Sequence, residues 1–175
     1  MYLLAKLISI GKKSLISIES FKQEYISAFY SLNKEWIEES WKLEQSDIND
    51  LSTPKEYIID KGGEVFFAIK DKKVIATAAM VYIDDTMFEL AKMTVAKEFR
   101  GLGIANKLMD SCIDFAKKRN ASQIALITNS SLTIARNLYD KYGFKEIELD
   151  SDKYGDRGDV KMILKLNSKK TSYLM

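Results

Sequence analysis

Phe99-Arg100-Gly101-Leu102-Gly103-Ile104-Ala105 is the stretch on which the reading of this chain turns. It is preceded by a strand-like run, Met87–Val95. It opens a run in which Ile104, Leu108, Cys112 and Phe115 share one stripe with lysines opposite, so an amphipathic helix is predicted over Ile104–Arg119. Small residues at a helix start leave the first backbone N–H groups open, and with the helix dipole these make an anion site. A tight strand-to-helix turn that needs glycine for its dihedrals explains the same residues equally well. Two familiar phosphate loops do not fit. Ile104-Ala105-Asn106 stands where a P-loop needs Gly-Lys-Ser/Thr, and Asn106 stands where a dinucleotide fingerprint needs its third small residue.

Working outward, Glu64–Ile69, Val74–Ile83 and Met87–Val95 read as three strands. Asp71-Lys72-Lys73 and Asp84-Asp85 are the turns between them, so an antiparallel meander is predicted. Upstream, Leu15–Ile18 reads as a first strand. A helix capped by Ser20 follows, with Phe21, Tyr25, Ala28, Phe29 and Leu32 on one face. Trp36–Asp50 has no clean period. Thr53-Pro54 is an N-cap and first-turn signature for a short helix over Pro54–Asp60, stopped by Gly62-Gly63. Downstream come a short strand at Gln123–Ile127, a helix at Leu132–Tyr142 ended by Gly143, and closing strands at Phe144–Leu149 and Val160–Leu166. Such an order packs as an α/β fold, a mixed sheet with helices on both faces.

Composition narrows the chemistry. The 175 residues fit one domain over 1–175. Lys+Arg is 27 against 25 Asp+Glu, a net charge of +2, which argues for neither nucleic acid nor an anionic membrane as partner. There is no His and a single Cys. That excludes a His base, Ser-His or Cys-His dyads, His-based metal sites and an intrachain disulfide, and no metal is expected. Acid–base work falls to Asp, Glu, Tyr, Lys or backbone. Cys112 lies on the apolar stripe and reads as a buried inert thiol. Met1–Ile10 carries Lys6, has no basic segment before it and no small-residue cleavage site after it. It does not read as a signal peptide, and a cytoplasmic setting is expected.

Arg100-x-x-Gly103-x-Ala105 resembles the R/Q-x-x-G-x-G/A signature of the GNAT superfamily of N-acetyltransferases. Met93-Thr94-Val95 is similar to that family's strand end before the loop. Ala135–Phe144, A-R-N-L-Y-D-K-Y-G-F, is similar to its A-x-x-L-Y-x-K-x-G-F helix and turn, and Arg157–Leu166 to its closing strand. Leu32–Ile37 and Tyr57–Phe67 resemble a bacterial-type, single-domain branch. The resemblance implies a GNAT acyl-CoA N-acyltransferase fold of about seven strands, split between strands 4 and 5.

It also implies roles. Acetyl-CoA would lie in the split as co-substrate. The backbone of Met93, Thr94 and Val95 would pair with its pantetheine arm, and the amides of Arg100, Gly101, Leu102, Gly103, Ile104, Ala105 and Asn106 would cradle its pyrophosphate. Tyr139 is the implied general acid for the leaving thiolate, or else an aromatic packing beside Leu138 and Tyr142. Glu89 is the implied base, or else a strand residue paired with Lys92; a water chain is the family's other solution. Leu132 stands where many members carry Asn, and Asn129 is the substitute nearby. Trp36, Trp41, Glu38, Glu39, Glu44 and Asp47 form either a pocket for a cationic amine or an acidic surface over core tryptophans.

The expected activity is transfer of acetyl from acetyl-CoA to a primary amine in a ternary complex, the acceptor a small amine. The alternatives are a protein amine as acceptor, or a non-catalytic acetyl-CoA-binding module. A homodimer is compatible with this reading.

Overall fold

In a computed structural model, residues 15–149 and 157–166 are described. Met1–Ile10, read above for a leader, lies outside them. The sheet grows from its central meander. β2 (Glu64–Lys70), β3 (Lys73–Asp84) and β4 (Met87–Val95) pair antiparallel. The first turn is Asp71-Lys72, both at positive φ (50° and 64°), the conformation that matches hairpin twist. Along β3, Ala76, Ala78 and Met80 face one layer while Ala79 and Val81 face the other. Both faces are buried, which is why the strand is apolar throughout.

β1 (Ser17–Glu19) pairs with β2. Beyond β4 the order continues through β5 (Gln123–Thr128) and β7 (Val160–Lys165) to β6 (Lys145–Ile147), giving β1-β2-β3-β4-β5-β7-β6. This is the expected seven-stranded mixed sheet, and only β4 and β5 run parallel.

One layer is made by α1 (Ile26–Glu38), α2 (Gln45–Ser52) and a π-helical turn at Lys55–Ile59. Phe29, Asn33 and Ile37 form α1's buried stripe. Buried Asn33 is satisfied locally, its Nδ2 donating to Phe29 O at 2.8 Å. The other layer is α3 (Ile104–Lys118), with Ile104, Leu108, Met109, Cys112 and Ala116 buried on the sheet. Leu138, Tyr139 and Tyr142 of α4 (Thr133–Tyr142) pack on the same core. Among the described residues no helix is long and apolar enough to cross a membrane.

The predicted helix starts are corrected in three places. Ser20 caps nothing: a 3₁₀ turn at Gln23–Tyr25 leads into α1. The aperiodic Trp36–Asp50 contains the end of α1 and the start of α2, whose Glu44 and Asp47 form a reciprocal capping box. Thr53 is not an N-cap. It closes α2, its hydroxyl donating back to Asn49 O at 3.0 Å.

Candidate active site

The parallel contact between β4 and β5 is short. Met87, Phe88 and Glu89 pair with Gln123, Ile124 and Ala125, and there the ladder stops. From Leu90 onward β4 is bonded only to β3 among the described residues, so its other edge offers unpaired backbone groups along an opening fork. Just past the fork β4 carries an extra residue. Thr77 faces Thr94 and Ala79 faces Ala91, so three steps on β4 match two on β3. Lys92 takes up the bulge at φ 51°, a conformation unusual for a side chain of that size. Met93, Thr94 and Val95 therefore lie along the open edge.

The chain then turns through a 3₁₀ segment at Lys97–Phe99 into the glycine loop. Gly101 (φ 78°) and Gly103 (φ 74°) are left-handed. A Cβ on Gly101 would meet nothing within 4 Å, and one on Gly103 only Asn106 Nδ2 at 4.0 Å. The glycines are thus required by their dihedrals, and the space before the loop is open. The first intrahelical bond of α3 is Lys107 N to Gly103 O, 3.4 Å. The N–H groups of Ile104, Ala105 and Asn106 precede it, with no backbone acceptor among the described residues. That is a built anion cradle, and it fits a pyrophosphate.

Arg100 departs from the expectation. Its own N–H donates to Lys97 O at 3.3 Å, so it is not one of the open amides. Its guanidinium grips both carboxylate oxygens of Glu39 (3.0 and 2.7 Å), and Nε donates to Val95 O at 3.0 Å. The pair holds Glu39 well below the usual carboxylate range. Arg100 ties α1 to the loop rather than lending its charge to a phosphate. A cation that sequence reasoning missed, Lys141, reaches α3's first turn from α4; its Nζ donates to Asn106 Oδ1 at 2.9 Å. Tyr142 pins the same turn, its hydroxyl 2.8 Å from Asp110 Oδ1 and 3.0 Å from Asn106 O. Burial and the Asp110 bond push that phenol up to about 12.

On the α1–α2 side the fork opens into a cleft of about 370 Å³. Glu89 and Tyr139, 50 positions apart, both line it, together with Met93 and Leu132. Glu89 is buried, on the face of Val81 opposite it on β3. Tyr139 stacks at a tilt on Phe144, centroids 5.9 Å apart, and its hydroxyl bonds to no protein group among the described residues. Burial pushes that phenol up to about 12, so it holds its proton at neutral pH. Asn129 does not reach the cleft. Its Oδ1 accepts from Ser131 N (3.0 Å) and Oγ (2.6 Å), closing the loop after β5.

The expected acidic pocket is reorganised. Glu39 belongs to Arg100, and Glu38 pairs with Lys34 on the surface. Trp36 lines the cleft and stacks with Trp41 at 5.4 Å. Asp47 is buried and already engaged: Oδ2 accepts from Arg157 Nη1 (2.8 Å) and from Glu44 N (3.0 Å). Burial alone would raise its pKa, but Arg157, the Glu44 N–H and Lys92 together bring it below the ordinary value. Arg157 sits three residues before β7 and 110 positions from Asp47, a pairing with no local sequence signal. Tyr57, Asp50 and Lys92 complete the wall. Cys112 is fully buried and burial pushes its thiol up, so it is no thiolate nucleophile. Among the described residues no group of three or more His, Cys, Asp or Glu could hold a metal ion.

The forked mixed sheet and the glycine loop at its mouth define the class of acyl-CoA N-acyltransferase folds. The sequence pattern described as the Acetyltransferase (GNAT) family matches residues 20–144, and the chain belongs to that family. It is 27% identical over 138 residues to "Probable N-acetyltransferase camello" of Xenopus tropicalis, covering 78% of this chain and 62% of that one. It is 33% identical over 100 residues to an "N-acetylaspartate synthetase" of the same organism, covering 56% and 37%. The chain thus spans less than two thirds of the curated relatives it matches. A crystal structure of a GNAT-family acetyltransferase from Staphylococcus aureus Mu50 superposes with a TM-score of 0.79 at 25% identity, over 87% of this chain and all of that one.

Proposed function

We propose that this protein transfers the acetyl group of acetyl-CoA directly to the primary amine of a small acceptor. The observation that carries the reading is that Glu89 and Tyr139 line one cleft, at the point where β4 leaves β5. Acetyl-CoA supplies an acetyl carbon activated by a thioester. The chain's own groups do the rest. The open amides of Ile104, Ala105 and Asn106 hold the anionic end. The free edge of β4 at Met93–Val95 aligns the arm that carries the thioester. An amine with pKa ~10.4 is mostly protonated at neutral pH. Glu89 takes that proton, freeing the lone pair to bond to the acetyl carbon as the carbon–sulfur bond breaks. Tyr139 keeps its proton at neutral pH and donates it toward the departing sulfur, and the second proton that the nitrogen sheds as the amide forms restores the phenol. No covalent acyl-enzyme is needed.

A cleft of about 370 Å³ walled by charged side chains supports a small acceptor over a protein surface. The experiment is thiol release from acetyl-CoA with a panel of amines, with mass detection of the acetylated product. Thermal stabilisation by acetyl-CoA without transfer to any amine would leave only a CoA-binding module.

A further inference from the structure

Lys92 and Arg157 bring positive charge and unused donors to the cleft. The Lys92 side chain is 19% exposed, and no hydrogen bond satisfies its ammonium among the described residues. Among the described residues the one carboxylate within 4.0 Å is Asp47, at 3.9 Å, too far to accept a hydrogen bond. Arg157 donates Nη1 to Asp47, while its Nη2 stands 3.7 Å from Glu44 Oε2. Asp47 serves Arg157 and the Glu44 N–H through Oδ2, and the Oδ1 that faces Lys92 stands 3.9 Å from its ammonium. Asp50 and Glu89 act on Lys92 through space, against a desolvation that lowers its pKa.

An ammonium this covered, with no hydrogen bond among the described residues and its carboxylate partner 3.9 Å away, is costly to hold. Its backbone is also held at φ 51°, a conformation that persists only where the surroundings impose it. The bulge aims Lys92 into the same cleft as Glu89, three residues away along β4. At ~3.3 Å per strand residue the two Cα atoms are no more than about 10 Å apart, within reach of the two ends of one small molecule.

We infer that the acceptor is an amine that also bears a carboxylate, of amino-acid type, its carboxylate seated against Lys92 and Arg157 while its nitrogen meets Glu89. This rests on the acetyltransferase reading above and names its substrate class.

The test uses matched acceptors: several amino acids, each beside its amide and its decarboxylated amine. In the wild-type protein kcat/KM should favour the carboxylated member at least tenfold, about 1.4 kcal/mol. In Lys92→Met that preference should fall at least tenfold, chiefly through KM, and Lys92→Arg should restore most of it. A merely structural Lys92 would lower rates for all members alike and leave the preference intact, which would overturn the inference. So would a wild-type protein that acetylates decarboxylated amines as well as amino acids, a result that leaves the acetyltransferase reading standing. Release of no thiol with any amine would instead bring down that reading, and this one with it. The wild-type comparison decides the matter even if Lys92→Met does not fold.

Discussion

The glycine loop and the cleft beside it are built from opposite materials. The loop is seven consecutive residues, and what it offers a ligand is backbone: two left-handed glycines and the first N–H groups of α3. The cleft offers side chains gathered from α1, α2, the π-helical turn, β4, α4 and the approach to β7. A ligand common to many proteins can be held by backbone, whose geometry is set by local dihedral requirements. A ligand particular to one protein is met by side chains whose neighbours are decided only by the tertiary fold. Substitutions on the two sides should therefore fail differently: in affinity for acetyl-CoA on one, in turnover and acceptor choice on the other.

The largest effect should come from the cleft. Glu89→Gln keeps size and hydrogen bonding but removes the base, and turnover at neutral pH should fall ~10²-fold or more. The loss should shrink as pH rises toward the amine's ~10.4, where the acceptor deprotonates unaided. Superimposable pH–rate profiles for the two proteins would move the base to a water chain or to another carboxylate.

Gly103→Asp tests the loop. Asn and Asp tolerate left-handed φ about equally, so Gly103→Asn controls for strain. The carboxylate should weaken acetyl-CoA binding by about 2 kcal/mol in calorimetry, and the amide by clearly less. Equal losses would mean that the loop's shape matters and its open amides do not.

Asp47→Asn separates the cleft's framework from its chemistry. It leaves Arg157 with only the exposed Glu44, 3.7 Å away, as a charge partner among the described residues and should lower unfolding free energy by about 2 kcal/mol at pH 7. That is less than the ~3–5 kcal/mol of a fully buried pair, because Arg157 remains 19% exposed. Asp47's folded pKa lies below its unfolded value of ~3.9, so its contribution is complete above that value and is lost as pH falls through the folded one. Urea denaturation curves of the two proteins should converge in acid and separate near neutrality.

Tyr139→Phe should lower turnover only about tenfold, since a thiolate is a good leaving group, with little change in acetyl-CoA affinity. An unchanged rate would make Tyr139 a packing aromatic. Arg100→Gln should do least. With its guanidinium already committed to Glu39, acetyl-CoA affinity should change less than about threefold, and stability by roughly 0.5 kcal/mol for so exposed a pair. A tenfold loss of affinity would restore Arg100 to the phosphate site.

What was legible follows the same division. The meander, α3 and the loop were readable because turn chemistry, glycine dihedrals and periodicity are local. The pairing of Asp47 with Arg157 was not, because 110 residues separate them and neither belongs to a repeating pattern. Asn129 as a cofactor contact has a local competitor, because an Asn beside serines after a strand also closes a turn on itself, and here its Oδ1 does. Thr53-Pro54 suggested a helix start, but Thr53 Oγ1 lay within reach of Asn49 O and finished the preceding helix. One signal was available and went unread: Glu44 and Asp47, three apart before an apolar residue, are a capping-box spacing.

The bulge at Lys92 makes β4 change parity partway along. Before it, Phe88 and Leu90 face the α3 layer; after it, Met93 and Val95 do, an odd interval where an unbroken strand requires an even one. Removing a single residue at Ala91–Lys92 would barely alter composition, yet it would exchange the two faces of everything up to the loop. Thr94, now opposite Thr77, would be driven into the apolar layer, while Met93 and Val95 would be turned out of it. This strand can therefore accept substitutions more readily than a one-residue change in length.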